Sequence, residues 1–220
     1  MDVLIAMAVF VFSHIAISRT RLRPLAIGAM GERTFRACYS LMSLTLLAWV
    51  IITMINADRI VFWYAPGWAY PFAAIATIIA FILIGLGAYV PNPLSASFRR
   101  KGYDPKKPGT VGWIRHPLIW GLTIWGFAHI PANGDWPSLI LFAGTAAFGV
   151  LGTRGLDKRM KTRLGEETWD ELQPAVGHID LNALIGVAIG MALWATILVG
   201  HAHLFGADPL SVLQAQFGLA

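Results

Sequence analysis

The sequence predicts an all-α protein that crosses a membrane several times as a polytopic helical bundle. Of its 220 residues, 56% are hydrophobic and only 13% are charged, whereas soluble domains carry about 25% charged residues. The mean hydropathy is +0.61, and the apolar residues collect into long stretches. Such stretches are typical of helices that cross a hydrocarbon core of about 30 Å.

Six stretches are expected to form transmembrane helices within a single domain, 1–220. They are Val3–Ser18, Ala37–Ala57, Tyr70–Val90, Pro117–Ile130, Trp136–Thr153 and Leu181–Phe205. The second and third are long enough to span at 1.5 Å per residue, and the fourth is the shortest. The first is expected to be retained, because Asp2 precedes it and arginines follow it, the reverse of a cleavable signal peptide.

The basic residues predict how these helices are oriented. Of the 17 Lys and Arg residues, 16 lie in the first, third and fifth segments between the predicted helices, and only Arg59 lies in the second. Because cytoplasmic segments are enriched in Lys and Arg, we expect both termini on the non-cytoplasmic side. The net charge of +5 and the pI near 9.7 therefore reflect how the helices are oriented in the membrane. Membrane lipid is the expected partner of the basic residues, and no nucleic-acid partner is expected.

The stretch from Arg115 to Trp136 holds two histidines at the two ends of one short apolar helix. His129, Trp125 and Gly121 are spaced by four residues, so they lie on one face of that helix. This face offers an imidazole, an aromatic wall and a glycine gap in which a flat ligand fits. A structural interpretation stays open, in which His129 is hydrogen-bonded to a neighbouring helix. Burial in the membrane favours the functional interpretation, because polar rings are costly in hydrocarbon.

His116 and Arg115 are expected at the start of the same helix. His116 stands thirteen residues before His129, which places the two side chains about 140° apart around the helix, so they cannot chelate one ion. His116 is interpreted as a residue of the helix start or the headgroup level. Arg115 adjoins the helix N-terminus at Pro117, whose dipole suits an anion. It is expected either to meet anionic lipid or to pair with carboxylates of a bound cofactor.

The C-terminal part of the chain gives weaker signals. Leu156, Met160 and Leu164 recur every four residues among basic side chains, which predicts an amphipathic surface helix from Leu156 to Gln173. His201 and His203 lie near the outer end of the last helix, where they are either solvated at the interface or reserve ligands.

Several motifs together resemble the NnrU family of bacterial membrane proteins. They are Ser13-His14 followed by the Arg19 to Arg23 cluster, Arg115-His116-Pro117, Gly121, Trp125, Ala128-His129, Asn133-Gly134-Asp135 and Leu156-Asp157-Lys158-Arg159. They cover most of residues 10 to 180. The resemblance implies a multi-pass protein of the bacterial inner membrane. It also implies a role near nitric oxide chemistry, because the family is associated with nitrite and nitric oxide reduction in denitrifying bacteria.

The family is in turn similar to plant zeta-carotene isomerase, which isomerises a central cis double bond of a carotenoid precursor. That enzyme uses a b-type haem held by two histidines, which fall on His14 and His129 when carried over by motif. The resemblance thus implies haem b, with His14 and His129 as metal ligands and catalytic residues, and a polyene or lipid substrate. The residues expected around the cofactor are Trp125, Gly121, Arg115 and His116. Gly126 replaces a cysteine of the isomerase, so ligand exchange through that thiol is not expected.

The depths of the two histidines set a condition on this assignment. His14 is four residues from the cytoplasmic end of its predicted helix, whereas His129 is thirteen residues beyond His116. In untilted helices that start at one level, the two depths differ by about 13 Å. Either the fourth helix begins below the membrane surface, or the helices tilt strongly, or His14 pairs with His116 instead.

Two other functions stay open. Arg115-His116-Pro117 with Gly121 also resembles the motif of membrane isoprenylcysteine and phospholipid methyltransferases, in which the helix binds S-adenosylmethionine. A later Glu-Glu pair of those enzymes is replaced here by Leu156-Asp157. The third possibility is a non-catalytic membrane factor that senses haem or nitric oxide. No residue pattern specifies an oligomeric state.

Overall fold

The structure, a computed structural model, describes residues 1–218. Within them the secondary structure is helical, without strands, and includes one isolated antiparallel bridge between Val61 and Asp135. The helices are α1 Asp2–Arg19, α2 Leu22–Met30, α3 Glu32–Ile55, α4 Ala69–Tyr89, α5 Pro117–His129, α6 Trp136–Leu164, α7 Glu166–Glu171, α8 Leu181–Phe205 and α9 Pro209–Gln216, and a 3-10 helix covers Gly109–Gly112. The predicted all-α fold class is confirmed.

Five helices of the described chain are long and apolar enough to cross a membrane, namely α1, α3, α4, α6 and α8. The fourth predicted span coincides with α5, but this helix has only 13 residues. At 1.5 Å per residue it is about 20 Å long, less than a hydrocarbon core of about 30 Å. The polytopic helical membrane protein is therefore confirmed with five full-length candidate spans rather than six, and with α5 as a shorter helix.

The chain divides into two compact units. The first unit comprises Met1–Tyr64 and Asn133–Gly144, and the second comprises Ala65–Ala132 and Thr145–Ala220. Both units take part of α6, because the boundary falls within this helix. His14 belongs to the first unit, and His116 and His129 belong to the second.

The first unit is built on a buried stripe of α1. Val3, Ala6, Met7 and Phe10 are all buried, and their spacing of three or four residues places them on one helical face. The α1 helix packs against α3, and Met7 of this face contacts Gly144 of α6. The stripe therefore fixes the rotation of α1, and with it the direction of every other side chain on that helix.

The linker after α3 is paired with the segment before α6. The Phe62 amide donates to the Gly134 carbonyl at 2.7 Å, and the Trp136 amide donates to Ile60 at 3.0 Å. Arg59 and Asp135 form an ion pair at 2.8 Å, with Asp135 almost fully buried. A side chain at position 134 would overlap the backbone of Trp63, so only glycine allows this approach. The end of α3 and the start of α6 thus lie at the same end of the first unit.

In the second unit, α5 runs antiparallel to α4. A Cβ atom at Gly87 would overlap the backbone of Leu118, and one at Gly121 would overlap the Ala80 carbonyl and Ile84. The residue numbers increase along one helix as they decrease along the other. The α5 helix therefore starts beside the C-terminal end of α4 and returns toward its N-terminal end.

The α8 helix also packs antiparallel on α4. Gly85 contacts the Gly186 backbone directly, and further along the Trp194 indole N–H donates to the Thr77 hydroxyl at 3.1 Å. Small residues allow such close backbone approach, which is how membrane helices associate when lipid removes the hydrophobic driving force. The α4 helix is thus the centre of the second unit, with α5 and α8 packed on it.

The segment from Leu156 to Gln173 differs from the prediction. No proline lies between Thr153 and Leu164, and the cost of about 1 kcal/mol for Gly155 in a helix interior is too small to end the helix, so α6 continues without interruption to Leu164. Only then does the chain turn, at Gly165 with a φ of 82°, into the short helix α7. Met160 is 3% exposed and lies in a buried cluster with Leu94 and Trp169. The prediction of a separate surface helix starting at Leu156 is therefore wrong.

We expect Asn133 to be accessible only from the non-cytoplasmic side. The α5 helix returns toward the end at which α4 begins, and the basic residues lie in alternate segments. We therefore expect the chain to change sides of the membrane at α5, although this helix is short. The test is membrane-impermeant thiol labelling of Asn133→Cys in a Cys38→Ser background, in which no other cysteine remains. Labelling only from the cytoplasmic side would contradict the predicted orientation of the termini.

Candidate functional site

His14 is held in one tautomer by its own helix. Its Nδ1 lies 2.6 Å from the Phe10 carbonyl oxygen one turn earlier, and its Nε2 lies 3.0 Å from the Ser43 hydroxyl of α3. Because a carbonyl oxygen only accepts hydrogen bonds, Nδ1 carries the proton of the neutral ring. The lone pair is then on Nε2, on the side of the ring that faces α3.

His129 shows the same arrangement at the end of α5. Its Nδ1 lies 2.7 Å from the Trp125 carbonyl oxygen, again one turn earlier. The centroids of the two rings, His129 and Trp125, are 5.0 Å apart. The carbonyl acceptor again assigns the proton to Nδ1 and the lone pair to Nε2. The predicted aromatic neighbour of His129 is therefore in place.

Gly121 does not leave the gap that its spacing predicts. The space above it is filled by α4, because the Ala80 carbonyl and the Ile84 side chain lie against it. A glycine on a helix face has the same sequence signal whether a ligand or another helix approaches it. At Gly121 it is a helix that does so, and the expected gap for a flat ligand there is corrected to a packing contact with α4.

His116 lies in a buried polar cluster at the start of α5. It is the residue before α5, is only 5% exposed, and has both ring nitrogens engaged. Its Nδ1 lies 2.8 Å from the Ser95 hydroxyl, and its Nε2 lies 3.0 Å from Asp157. The carboxylate only accepts, so Nε2 carries the proton and Nδ1 accepts from Ser95. This arrangement argues against His116 as a metal ligand and confirms its position at the helix start.

Arg115 completes this polar cluster. Its two terminal nitrogens contact Asp157 at 3.2 Å and Gln173 at 2.8 Å, and its guanidinium lies 5.2 Å above the Trp169 ring. The Asn92 side chain donates to the Arg115 carbonyl at 2.8 Å. The Arg115 guanidinium is thus engaged within the protein, and its two expected roles, with anionic lipid or with cofactor carboxylates, stay predictions.

The sequence did not reveal most partners in this cluster. Asp157 was noted only as a weak counterpart of an acidic pair, and Ser95 and Gln173 were not singled out. These residues come from the loop after α4, from α6 and from the segment after α7. No periodic pattern links such distant segments, so the only available signal was the charge of Asp157 near Arg115-His116.

Burial lowers the pKa of His116 below its ordinary value of 6.5 and is the dominant effect. The negative charge and hydrogen bond of Asp157 act in the opposite direction, and the positive charge of Arg115 adds to the lowering. His116 is therefore neutral at pH 7. Nearby, burial also raises the pKa of Tyr103, whose hydroxyl donates to the Leu172 carbonyl at 3.0 Å.

The stability of the protein is expected to fall as the pH is lowered from 6.5 towards the folded-state pKa of His116. In that window the unfolded chain binds more protons than the folded chain, so the free energy of unfolding increases with pH. Thermal unfolding in detergent between pH 5 and pH 7.5 measures the slope. His116→Gln should flatten it. An equal slope in both proteins would show that His116 is not the titrating group.

His201 and His203 lie near the end of α8, at the opposite end of the second unit from this cluster. The His201 Nδ1 lies 2.9 Å from the Ala207 carbonyl oxygen, and His203 is exposed. Within residues 1–218, no three or more His, Cys, Asp or Glu side chains are grouped to hold a metal ion. This criterion does not address a haem iron, which takes only two ligands from the protein.

The comparisons with known proteins place the chain in a family. The family model described as NnrU protein matches residues 3–209, so it extends across both compact units and includes His14, the Arg115-His116 pair and His129. Neither the comparison with curated proteins nor that with solved structures gave a match. Since the family model covers most of the sequence, this chain belongs to the NnrU family.

Proposed function

We propose that this protein binds haem b in the membrane, with His14 and His129 as the two axial ligands of the iron. One observation carries the proposal: both histidines make the same kind of hydrogen bond. In each ring, Nδ1–H donates to the backbone carbonyl one helical turn earlier. Histidines that bind metals usually donate their other ring N–H in this way, which fixes the ring and increases its basicity. Each ring thereby offers Nε2 as its coordinating atom.

The donor set fits a b-type haem. Neutral imidazoles are good axial ligands for iron, and the protein needs to supply only two of them. A haem held by these residues would supply redox chemistry at its iron. Trp125 contributes an aromatic ring beside His129, which is suited to pack against a flat macrocycle.

Ser43 lets His14 change partner at low cost. Its hydroxyl lies 3.0 Å from the His14 Nε2 and 2.8 Å from the Tyr39 carbonyl oxygen. A hydroxyl has one proton, so Ser43 donates to only one of these acceptors at a time. When His14 turns its lone pair to another partner, Ser43 keeps a hydrogen bond to Tyr39, and no polar group is left unsatisfied.

The proposed reaction rests on the resemblance of the family to zeta-carotene isomerase. We propose redox-controlled cis-trans isomerisation of a polyene or lipid in the bacterial inner membrane, with a physiological link to nitrite and nitric oxide reduction. A non-catalytic haem or nitric oxide sensor would share the haem but would leave a cis polyene unchanged. We further propose that residues 1–220 act as one domain, since a single family model extends across both units.

Haem content is the direct test of the proposed function. The full-length protein is purified in detergent from haem-replete cells, and haem is quantified as the pyridine complex against protein concentration. About one haem b per chain is expected. Colourless protein would overturn the proposal, and a covalently attached haem would exclude the b type.

A second candidate is an S-adenosylmethionine-dependent methyltransferase, and one observation favours it. Asp157 contacts both Arg115 and His116, so an acidic residue does lie beside the motif shared with those enzymes. Calorimetric titration of the purified protein with S-adenosylmethionine separates the candidates. Binding that is lost in Asp157→Asn would favour methyl transfer, and its absence together with bound haem would exclude it.

A further inference from the structure

An apolar groove of about 240 Å³ lies in the second unit, beside the 3-10 helix. Its walls come from α4, the 3-10 helix region, α5 and α8, and include Leu86, Trp113, Pro117, Ala183, Leu184 and Val187. Leu86 and Ala183 are also part of a buried core cluster with Leu83, Val90 and Val111. The floor of the groove is therefore rigid, and its outer wall is formed by exposed apolar side chains such as Leu184 and Trp113.

The size and lining of the groove limit what it can hold. Sites for drug-sized ligands measure about 300 to 1,000 Å³ and contain several polar groups. This groove is smaller and almost entirely apolar. It cannot enclose a porphyrin or an S-adenosylmethionine molecule, but it suits a single hydrocarbon chain.

Positive charge surrounds the end of the groove. The Arg99 guanidinium lies 3.1 Å from the Tyr89 carbonyl oxygen at the end of α4 and 3.5 Å from the Asn182 side chain at the start of α8. Asn182 is the neighbour of Ala183 in the groove wall. Lys106 and Lys107 are exposed and shortly precede the 3-10 helix. Residues 99–107 contain five basic side chains and one acidic one.

The acidic groups at this end are already satisfied within the protein. Asp180 caps α8 by accepting from the Ala183 amide at 2.8 Å and also accepts from Asn182 at 3.2 Å. Asp104 accepts from the Lys106 amide at 2.9 Å. Both carboxylates keep their negative charge, but these two against the five basic side chains of residues 99–107 leave this end of the groove with a net positive charge.

We propose that this groove binds one acyl chain of an anionic phospholipid, whose phosphate is attracted by Arg99, Lys106 and Lys107. A lipid chain is already in hydrocarbon before it binds, so the groove alone gives little preference between lipids. The discrimination must come from the headgroup. A basic residue near an anionic lipid surface changes binding by roughly five-fold, so three of them select phosphatidylglycerol over phosphatidylcholine. Neither of the proposed haem ligands lines the groove.

Native mass spectrometry of the full-length protein with equimolar phosphatidylglycerol and phosphatidylcholine of identical chains tests the proposal. One phosphatidylglycerol molecule should be retained at least tenfold more often than phosphatidylcholine. Leu184→Trp, which fills the groove, should lose this molecule, whereas Leu193→Trp, also at an exposed leucine of α8 but outside the groove, should keep it. Arg99→Gln combined with Lys107→Gln should reduce the preference at least tenfold, and Arg19→Gln combined with Arg21→Gln should not.

Crosslinking of the unmutated protein provides a test that does not depend on whether the variants fold. Phosphatidylglycerol with a diazirine in its acyl chain should label peptides containing Trp113 and residues 179–187. Equal retention of the two lipids, equal loss in both tryptophan variants, or labelling spread over all the helices would each overturn the proposal. The proposal would also be overturned if Leu184→Trp kept phosphatidylglycerol but lost a bound polyene, because the groove would then hold the polyene and not the lipid.

Discussion

His129→Ala should lose most of its haem and show no low-spin spectrum. Trp125 packs beside the histidine ring and Gly121 is covered by α4, so neither provides an atom that coordinates iron in its place. The measurement is the haem-to-protein ratio together with the absorption spectrum in detergent. His203→Ala, at an exposed histidine of the same unit, is the matched control and should be indistinguishable from the unmutated protein.

His116→Ala serves as the discriminating control for the same assignment. Both nitrogens of His116 are bound within the protein, by Ser95 and Asp157, so its loss should reduce stability and leave the haem spectrum nearly intact. If His116→Ala became high-spin while His129→Ala stayed low-spin, the motif would have identified the wrong histidine.

His14→Ala should either lose the haem or leave a five-coordinate, high-spin centre. One imidazole would remain on the iron, and the position of the other would be open. Added imidazole should restore the low-spin spectrum, because it can replace the missing ligand. It would not do so if the substitution had only damaged the fold. Ser43→Ala should stay low-spin, because Ser43 only hydrogen-bonds the ring. A low-spin His14→Ala protein without added imidazole would contradict the role of His14.

The sequence predicted the helices wherever long apolar stretches determine them. α1, α4 and α8 begin and end within a few residues of the predicted spans. The α6 helix was predicted too short, because the pattern changes from buried to amphipathic at Leu156 without a residue that ends a helix. The short helix α2 lies in a segment that was interpreted only as a basic linker.

The sequence predicted the local contacts of the candidate site but not the contacts between distant segments, for a physical reason. His14, His129 and Trp125 have local partners one helical turn away, and spacing within one helix reveals such partners. Arg115 and His116 have partners that are 21 to 58 residues distant in sequence, and only the fold brings these segments together. Sequence reasoning therefore singled out Arg115 and His116 but not the residues that hold them.

The spin state of the iron in the unmutated protein tests the central claim most directly. Electron paramagnetic resonance and absorption spectra of the oxidised, detergent-purified protein report the number and type of axial ligands. Coordination by His14 and His129 predicts a six-coordinate, low-spin haem b with two imidazole ligands. A five-coordinate, high-spin haem, or protein that carries no haem when purified from haem-replete cells, would contradict it.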